Sequence, residues 1–495
     1  MVLAIVAALA PAAAAAQATS PAPPDSVVRQ LIAAIDSGDP RVRGAFLARA
    51  LSPRARAADS ARIDGLLAQL HEAGAPYQEV QREVGGRTVF LSLASPRLGR
   101  ALTMQVSTER GAPAGLGVIG VLESHPAVLD SLQWPAGAPD AAAVIRGNLA
   151  RLAARDAFSG VVYVLRGDSV LFAQGYGLAN REDSVANTLR TRFALASIPK
   201  MFTATAILQL VDAGKLRVDD TLDRVLPAYP NTDRARRITI RHLLEHTSGM
   251  GDLWSTQKIP VPGLAGQLAA AAEVAHAPLL FEPGTRWSYS NEGYLVLGAV
   301  VEQLSGLSFE EYLRRHVFAP AGMTETVLRG GPDDVVPHRA VGYRPRADDP
   351  LGVQPPRANW SFLRNDGPSG AGGGYSTAPD LARFGRALRG GRLVSPALRD
   401  SMWTGRWQVP GHGDDRYGWG SFARTVEGRV AVGHGGGGTG SGMDSNFRQF
   451  TDGSYTVVVL ANGDPPMSVQ LMKDLTRFVA TQQVPGGSSA VSRAR

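Results

Sequence analysis

The chain of 495 residues contains no cysteine, which excludes disulfides, a thiol nucleophile, thiolate metal sites and lipid attachment through a cysteine. Lysine is also scarce, since Lys200, Lys215, Lys258 and Lys473 are the only lysines among 51 basic residues. The formal net charge of +7 therefore comes mostly from arginines. These are scattered and do not form the basic stripe with interleaved aromatic residues that is typical of nucleic-acid-binding proteins. We expect no nucleic-acid partner.

Long hydrophobic runs are absent outside the N-terminus, so we expect no stable membrane span. Residues 2–16 are uncharged and apolar, and as a helix they would extend roughly 22 Å, less than the roughly 30 Å hydrocarbon core of a bilayer. Small residues at 14–18 offer cleavage positions, although no Lys or Arg precedes the run. The pattern predicts that residues 1–20 are a cleaved signal peptide and that the protein is exported, either periplasmic or secreted.

A chain of this length exceeds one ordinary hydrophobic core, which predicts two domains. Residues 24–124 contain three apolar runs at helical spacing and then three strand-like stretches, at 88–95, 101–108 and 116–123. This order predicts a small α+β domain, cone-like in shape, for which we expect a binding or spacer role. Residues 125–140 are rich in Pro and Ala and indicate a linker, and residues 485–495 indicate a disordered tail.

Residues 141–484 are predicted to form the larger domain. It begins with a helix over 142–156 and a hairpin that turns at 167–168, and it ends with several strands and a helix near 469–480. The middle is mostly helical. Strands at both ends of the domain predict one antiparallel sheet assembled from both ends, with helices on both faces and a helical insert. The predicted fold class is therefore α+β.

The clearest chemical motif is Ser197-Ile198-Pro199-Lys200, which opens a predicted helix with an apolar stripe. Residues three apart lie on one helix face, so the lysine amine reaches the serine hydroxyl. The helix N-terminus favours negative charge near Ser197. A lysine accepts a serine proton only when burial and neighbouring charge lower its pKa. The stretch from Ser255 to Lys258 has the same spacing but no predicted helix, which leaves Ser197 as candidate nucleophile and Lys200 as candidate base.

Tyr289-Ser290-Asn291 is a second candidate motif. A phenol and an amide two residues apart lie on one side of an extended segment. The phenol can relay the proton to the leaving group, and the amide can bind substrate and hold Lys200. Tyr229-Pro230-Asn231 has the same form, but it lies in a proline-rich turn.

The third motif is His434 followed by a run of glycines. Glycine lets the backbone approach a ligand closely, so His434, Gly435 and Gly436 are candidate substrate-binding residues. The backbone N–H of Gly437 is a candidate partner for that of Ser197 in an oxyanion hole. One such donor is typically worth about 10²–10³ in rate.

The order and spacing of these motifs resemble the serine β-lactamase-like family, which includes class C β-lactamases, penicillin-binding proteins, D-peptidases and related esterases. The resemblance extends from about residue 158 to 464 and includes the segments 238–250, 370–384 and 455–464. It implies the nucleophile, base and tyrosine roles for Ser197, Lys200 and Tyr289.

The same resemblance implies that Asn291 is the substrate-binding amide. His434-Gly435-Gly436 replaces a motif that is often K-T-G in the family. A histidine is uncharged for much of the time at neutral pH, which argues against binding of a substrate carboxylate and so against β-lactam turnover.

We therefore expect an exported serine hydrolase that cleaves an amide or ester bond through an acyl-enzyme on Ser197, with no cofactor and no metal. The expected substrate is a small molecule or a peptide, for example a D-peptide, a small ester, an amide or a β-lactam. Compounds derived from the cell wall are among the candidates. A penicillin-binding or sensor protein without turnover is the alternative.

A remoter alternative is a zinc peptidase. His242, Glu245 and His246 form an H-x-x-E-H pattern, in which two histidines four apart on a helix can ligate zinc. Thr247-Ser248-Gly249 breaks that helix at once, and no downstream carboxylate stands out as a third ligand.

Overall fold

The structure is a computed structural model. It describes residues 22–85, 88–97, 100–109, 112–126, 132–251, 266–328, 334–344, 358–359, 369–410, 412–438, 441–464 and 467–482. The predicted signal peptide, the predicted tail and the second Ser-x-x-Lys sequence at Ser255 lie outside the described residues. The chain divides into two compact units, and the boundary between them lies between Leu132 and Gln133.

The smaller unit contains three helices followed by a four-stranded antiparallel sheet. Its elements are α1 (Asp25–Ser37), α2 (Pro40–Ala50), α3 (Pro53–Gly74), β1 (Gln78–Gly85), β2 (Thr88–Ser95), β3 (Arg100–Glu109) and β4 (Ala112–Pro126). Val89, Leu91 and Leu93 are buried at every second position of β2, which is the pattern of a strand with one face on a core. The sequence did not predict β1, because QEVQREVG offers almost no apolar alternation.

The larger unit contains the remaining elements. Its first elements are α4 (Ala141–Ala154), β5 (Gly160–Arg166), β6 (Ser169–Tyr176), β7 (Leu178–Asn180), β8 (Val185–Ala186), β9 (Phe193–Ala194), α5 (Lys200–Asp212), α6 (Leu222–Val225), α7 (Thr232–Arg237), α8 (Ile240–Leu244) and α9 (Gly266–Val274). The middle continues with α10 (Asn291–Ser305), α11 (Phe309–Leu313), a π-helical turn (Arg314–Phe318), α12 (Ala319–Ala321), β10 (Tyr343–Arg344), β11 (Ala358–Asn359), β12 (Tyr375–Ser376), α13 (Ala378–Arg389) and α14 (Pro396–Trp403). The last elements are β13 (Trp407–Gln408), β14 (Arg416–Tyr417), β15 (Phe422–Val426), β16 (Arg429–Gly437), β17 (Asp444–Phe450), β18 (Tyr455–Ala461) and α15 (Met467–Ala480).

Eight of these strands form one antiparallel sheet in the order β13-β14-β15-β16-β17-β18-β5-β6. The late strand β18 pairs with the early strand β5, from Tyr455 opposite Arg166 to Ala461 opposite Gly160. This pairing confirms the predicted sheet assembled from both ends of the domain. Every residue of β18 is buried, so both faces of the sheet are covered there. Among the described residues, no helix has both the length and the hydropathy to span a bilayer.

Helix α5, which follows the Ser-x-x-Lys motif, is a central helix of this unit. It packs against α10, α14 and strand β16. All residues from Lys200 to Leu208 are buried, so the helix is enclosed on all sides rather than along the predicted single stripe. The enclosure holds the start of α5 rigidly against the sheet and α10.

Candidate active site

Ser197 lies in the turn between β9 and α5, half-buried and three residues before the first residue of the α-helix. The preceding residue, Ala196, has a φ of +48°, a left-handed conformation that is costly for a residue with a side chain. The N–H of Lys200 donates to the carbonyl of Ser197 at 3.1 Å, and that of Met201 donates to Ile198 at 3.0 Å. These i→i+3 bonds make a 3₁₀-type entry to the helix. The strained turn therefore sets Ser197 at the N-terminus of α5.

The Lys200 side chain is completely buried beside this serine. Its Nζ lies 3.2 Å from Ser197 Oγ and donates to Asn291 Oδ1 at 2.6 Å. It also donates to the carbonyl of Ala371. Two fixed acceptors therefore orient the amine while it faces the hydroxyl. The structure brings together the predicted nucleophile, the predicted base and the predicted amide.

The second motif reaches the site because α10 begins at Asn291. Ser290 is the N-cap, in extended conformation, and its hydroxyl accepts from the N–H of Gly293 at 3.0 Å. The extended residue sets Tyr289 on the side of Lys200, whose Nζ lies 4.9 Å from the centre of the phenol ring. Tyr289 and Asn291 thus both face the buried amine, as their spacing predicts.

The similar Tyr-Pro-Asn sequence has a different place in the fold. Tyr229 is buried in the hydrophobic core, and the side chain of Asn231 caps α7 by accepting from the N–H of Arg234 at 3.1 Å. Tyr229 therefore contributes to the core and Asn231 to a helix cap, and both roles are structural.

The segment 369–374 braces the site, and nothing in the sequence apart from the family resemblance indicates a role for it. The N–H of Gly373 donates to the Ala196 carbonyl at 2.8 Å, which supports the strained turn. A Cβ on Gly372 would lie 2.2 Å from the same carbonyl oxygen, so a side chain is excluded there. The Ala371 carbonyl, which orients Lys200, is the functional group that was missed. In the sequence, the run of three glycines at 372–374 and the family resemblance of the segment 370–384 were the indications that pointed to it.

Strand β16 passes directly over the nucleophile turn at Gly436. A Cβ on Gly436 would lie 2.6 Å from Ser197 N and 2.3 Å from the carbonyl oxygen of Leu195. Real side chains do not come so close to backbone atoms. Glycine is therefore required for this approach to the backbone of the Ser197 turn, whereas the sequence argument for Gly436 was a close approach to a ligand, which stays a prediction.

The pairing pattern of β16 decides where its N–H groups point. The N–H of Thr451 donates to the Val430 carbonyl at 2.9 Å, and the register with β17 continues without a shift to Gly437 opposite Asp444. In an antiparallel ladder, hydrogen-bonded pairs alternate with pairs that form no hydrogen bonds. Because Val430 belongs to a bonded pair, the even-numbered residues of β16 form hydrogen bonds to β17. The N–H groups of the odd-numbered residues point to the opposite edge of β16. Pairing with β15 stops at Gly433. The N–H of Gly437 therefore points to the open edge beyond that last pair.

His434 is enclosed, with 2% of its surface exposed. Its Nδ1 lies 2.5 Å from the Gly435 carbonyl and its Nε2 lies 3.3 Å from Tyr417 Oη. Because a carbonyl only accepts, Nδ1 carries the proton and Nε2 accepts from the phenol. Burial, and then the charge of Lys200, lowers the pKa of His434 to about 3, so the ring is neutral. Direct contact of this side chain with substrate stays a prediction.

Aromatic rings lie around this histidine. Phe422 lies 5.0 Å and Tyr289 6.3 Å from the His434 ring, measured between centres. Trp287 lies 6.5 Å from Tyr289. Trp287, Tyr289 and Phe422 are only half-buried, so they present apolar surface near Tyr289 and His434.

The three residues of the zinc alternative do not converge. Helix α8 ends at Leu244, and His246 has a φ of +60°, so His242 and His246 share no helix face. The Glu245 carboxylate accepts from two tryptophan indoles at 2.8 and 2.9 Å. Within the described ranges, no three His, Asp or Glu side chains are placed to hold a metal ion. The helical geometry on which this alternative depends is wrong.

Comparison with known proteins identifies the family of this chain. A family model described as Beta-lactamase matches residues 145–481, more than half of the chain. Penicillin-binding protein 4 of Amycolatopsis lactamdurans is 32% identical over 338 residues, 64% of this chain and 85% of that protein. Esterase EstB of Burkholderia gladioli is 30% identical over 278 residues, 50% of this chain and 70% of that protein.

Solved structures of similar proteins match the larger unit as well. The crystal structure of a penicillin-binding protein from Bacillus halodurans superimposes with a TM-score of 0.57 at 30% identity, and the match covers 66% of this chain and 98% of that one. The family match spans the unit that carries Ser197, Lys200 and Tyr289. This chain therefore belongs to the beta-lactamase family.

Proposed function

We propose that this protein is an exported serine hydrolase that cleaves an amide or ester bond through an acyl-enzyme on Ser197. The observation that carries the proposal is the buried Lys200 amine, which lies 3.2 Å from Ser197 Oγ and is oriented by Asn291 and Ala371. Export rests on the apolar residues 2–16 of the sequence.

In the first step, Lys200, which acts as a base only after it has lost its own proton, accepts the hydroxyl proton while Ser197 Oγ bonds to the substrate carbonyl carbon. The negative charge that develops on the carbonyl oxygen is stabilised by the N–H groups of Ser197 and Gly437. The proton then passes through Tyr289 to the leaving amine or alkoxide as the C–N or C–O bond breaks. Water adds to the acyl carbon, the acid departs, and Ser197 recovers its proton.

The surroundings of the nucleophile favour an uncharged substrate. Where the family often has a lysine, this chain has His434, whose pKa is lowered to about 3 by burial and by Lys200. A substrate carboxylate would meet a neutral ring instead of a lysine at this position, so its desolvation would be compensated less. The half-buried rings of Trp287 and Phe422 instead offer contact to apolar groups. We therefore place neutral esters and amides ahead of β-lactams.

The test is intact mass spectrometry of the processed protein with a panel of acylating probes. The panel contains a fluorophosphonate, a neutral p-nitrophenyl ester, a D-amino-acid amide and a penicillin, and each adduct is mapped to a peptide. Ser197→Ala should abolish labelling, whereas Ser255→Ala, at the second Ser-x-x-Lys sequence, should retain it. Labelling that survives Ser197→Ala would overturn the proposal.

The time course of adduct and product in the same measurement separates turnover of the substrate from stable acylation of the protein. A hydrolase shows a transient adduct and a growing product peak with the neutral ester. An adduct that persists with no further product would identify the non-turnover sensor instead, and would contradict the proposed hydrolysis.

A further inference from the structure

His246 is a buried imidazole beside the site, and the mechanism above gives it no role. It follows α8 with a φ of +60° and has 1% of its surface exposed. Histidine has a side chain and pays a conformational penalty in this left-handed region. Its contacts must therefore hold it in place.

Those contacts bracket Tyr289. The His246 carbonyl accepts the N–H of Ser288 at 2.9 Å, and His246 Nδ1 accepts the N–H of Ser290 at 3.1 Å. The backbone is thus held on both sides of the tyrosine. In addition, the His246 ring packs on the Tyr289 ring, with centres 4.3 Å apart and planes 37° apart. One residue therefore constrains both the backbone and the side chain of the phenol.

Two further aromatic rings lie close to the His246 ring. The ring centres of Tyr417 and Tyr294 lie 4.6 and 5.0 Å away. Because Nδ1 accepts, Nε2 carries the proton, and this buried N–H has no hydrogen-bond partner among the described residues. An unsatisfied buried N–H is unfavourable, so an apolar residue would fill this space at a lower cost. The imidazole is therefore explained better by the hydrogen bond that its Nδ1 accepts than by packing alone.

We propose that His246 is the positioning residue for Tyr289, which it holds against the Lys200 amine through the backbone of Ser288 and Ser290 and through ring packing. This inference rests on the proposed function, because it assigns a role through the proton relay at Tyr289. It adds a residue that acts on the acylation step without being the nucleophile or the base.

Two replacements separate the contributions of His246. His246→Asn tolerates the left-handed conformation and keeps an acceptor near the position of Nδ1, but it removes the ring. His246→Phe keeps a ring and removes the acceptor. His338→Asn is a matched control, because His338 is also a left-handed histidine, with a φ of +57°, and its side chain is exposed.

The readout is kcat and KM for a neutral p-nitrophenyl ester, measured for each variant alone and combined with Tyr289→Phe. With Tyr289 intact, we expect His246→Phe to lower kcat by at least about tenfold with KM changed by less than about twofold, and His246→Asn to recover part of the loss. In the Tyr289→Phe background, both replacements should change kcat by less than about twofold. His338→Asn should match wild type.

Equal losses in the two backgrounds would show a merely structural role and overturn the inference. Full activity of both His246 variants would also overturn the inference, and so would an unchanged kcat in Tyr289→Phe itself. Tryptophan fluorescence during urea unfolding checks that each variant is folded. If His246→Phe does not fold, the comparison of the two backgrounds is made with His246→Asn alone. Failure of the proposed function is distinguished separately, because it appears as Ser197-independent labelling.

Discussion

Replacing His434 with glutamine should remove a defined part of the acid sensitivity of the larger unit. The pKa of His434 in the folded protein is about 3, whereas histidine in an unfolded chain titrates near 6.5. Between these two values the unfolded state binds a proton that the folded state does not, so the free energy of unfolding falls as the pH falls. At about 1.36 kcal/mol per pH unit, about 2 kcal/mol is lost from pH 6.5 to about pH 5. Glutamine does not titrate and keeps an acceptor for Tyr417.

Urea unfolding of wild type and His434→Gln at about pH 7.5 and about pH 5 measures this difference. No tryptophan precedes Trp134 in the sequence, and the five tryptophans that the structure describes lie in the larger unit, so their fluorescence reports on that unit. Other titrating groups, including His246, are present in both proteins and cancel in the comparison.

The wild type should lose about 2 kcal/mol more than the variant on acidification, whatever their stabilities at pH 7.5. Equal losses in the two proteins would mean that His434 accepts a proton in the folded state near its ordinary pKa. The argument that the site disfavours carboxylates would then fail, because a protonated His434 would supply the missing positive charge.

Three further outcomes follow from the same contacts. Gly436→Ala should lower the rate of acylation by at least about 10², measured as the appearance of the fluorophosphonate adduct, because the new Cβ would meet Ser197 N at 2.6 Å. Gly438→Ala, whose Cβ would meet nothing within 4 Å, should keep the wild-type rate, and equal rates for both variants would refute the reasoning. Glu245→Gln should lower the free energy of unfolding by about 1–3 kcal/mol, since an amide cannot accept from both indoles as the carboxylate does; unchanged urea unfolding would contradict this. Burial raises the pKa of Asp444 to about 6, so this carboxyl opposes the gain in stability that His434 gives as the pH rises from 3.8 to about 6; Asp444→Asn should therefore gain stability more steeply than wild type in unfolding curves across that range, and parallel curves would contradict this.

The features that the sequence determined are local ones. Ser197 and Lys200 are three residues apart, so helical geometry alone brings the amine to the hydroxyl, and the contact follows from the motif. The hairpin of β5 and β6 was predicted because alternating apolar residues flank a turn at Gly167. The pairing of early and late strands into one sheet also followed, since the strand-like stretches of the sequence lie at the two ends of the domain.

The tertiary structure alone decided which distant groups complete the site. The Ala371 carbonyl that orients Lys200 is 171 residues away in the chain, and His246 reaches Ser290 across 44 residues. No short-range pattern in the sequence encodes such distances, because they depend on how α5, α10 and β16 pack together. The direction of the Gly437 N–H likewise depends on the register between β16 and β17, which is set by pairing across the sheet. Local backbone geometry thus specified the nucleophile and its base, whereas long-range packing specified the groups that hold them in place.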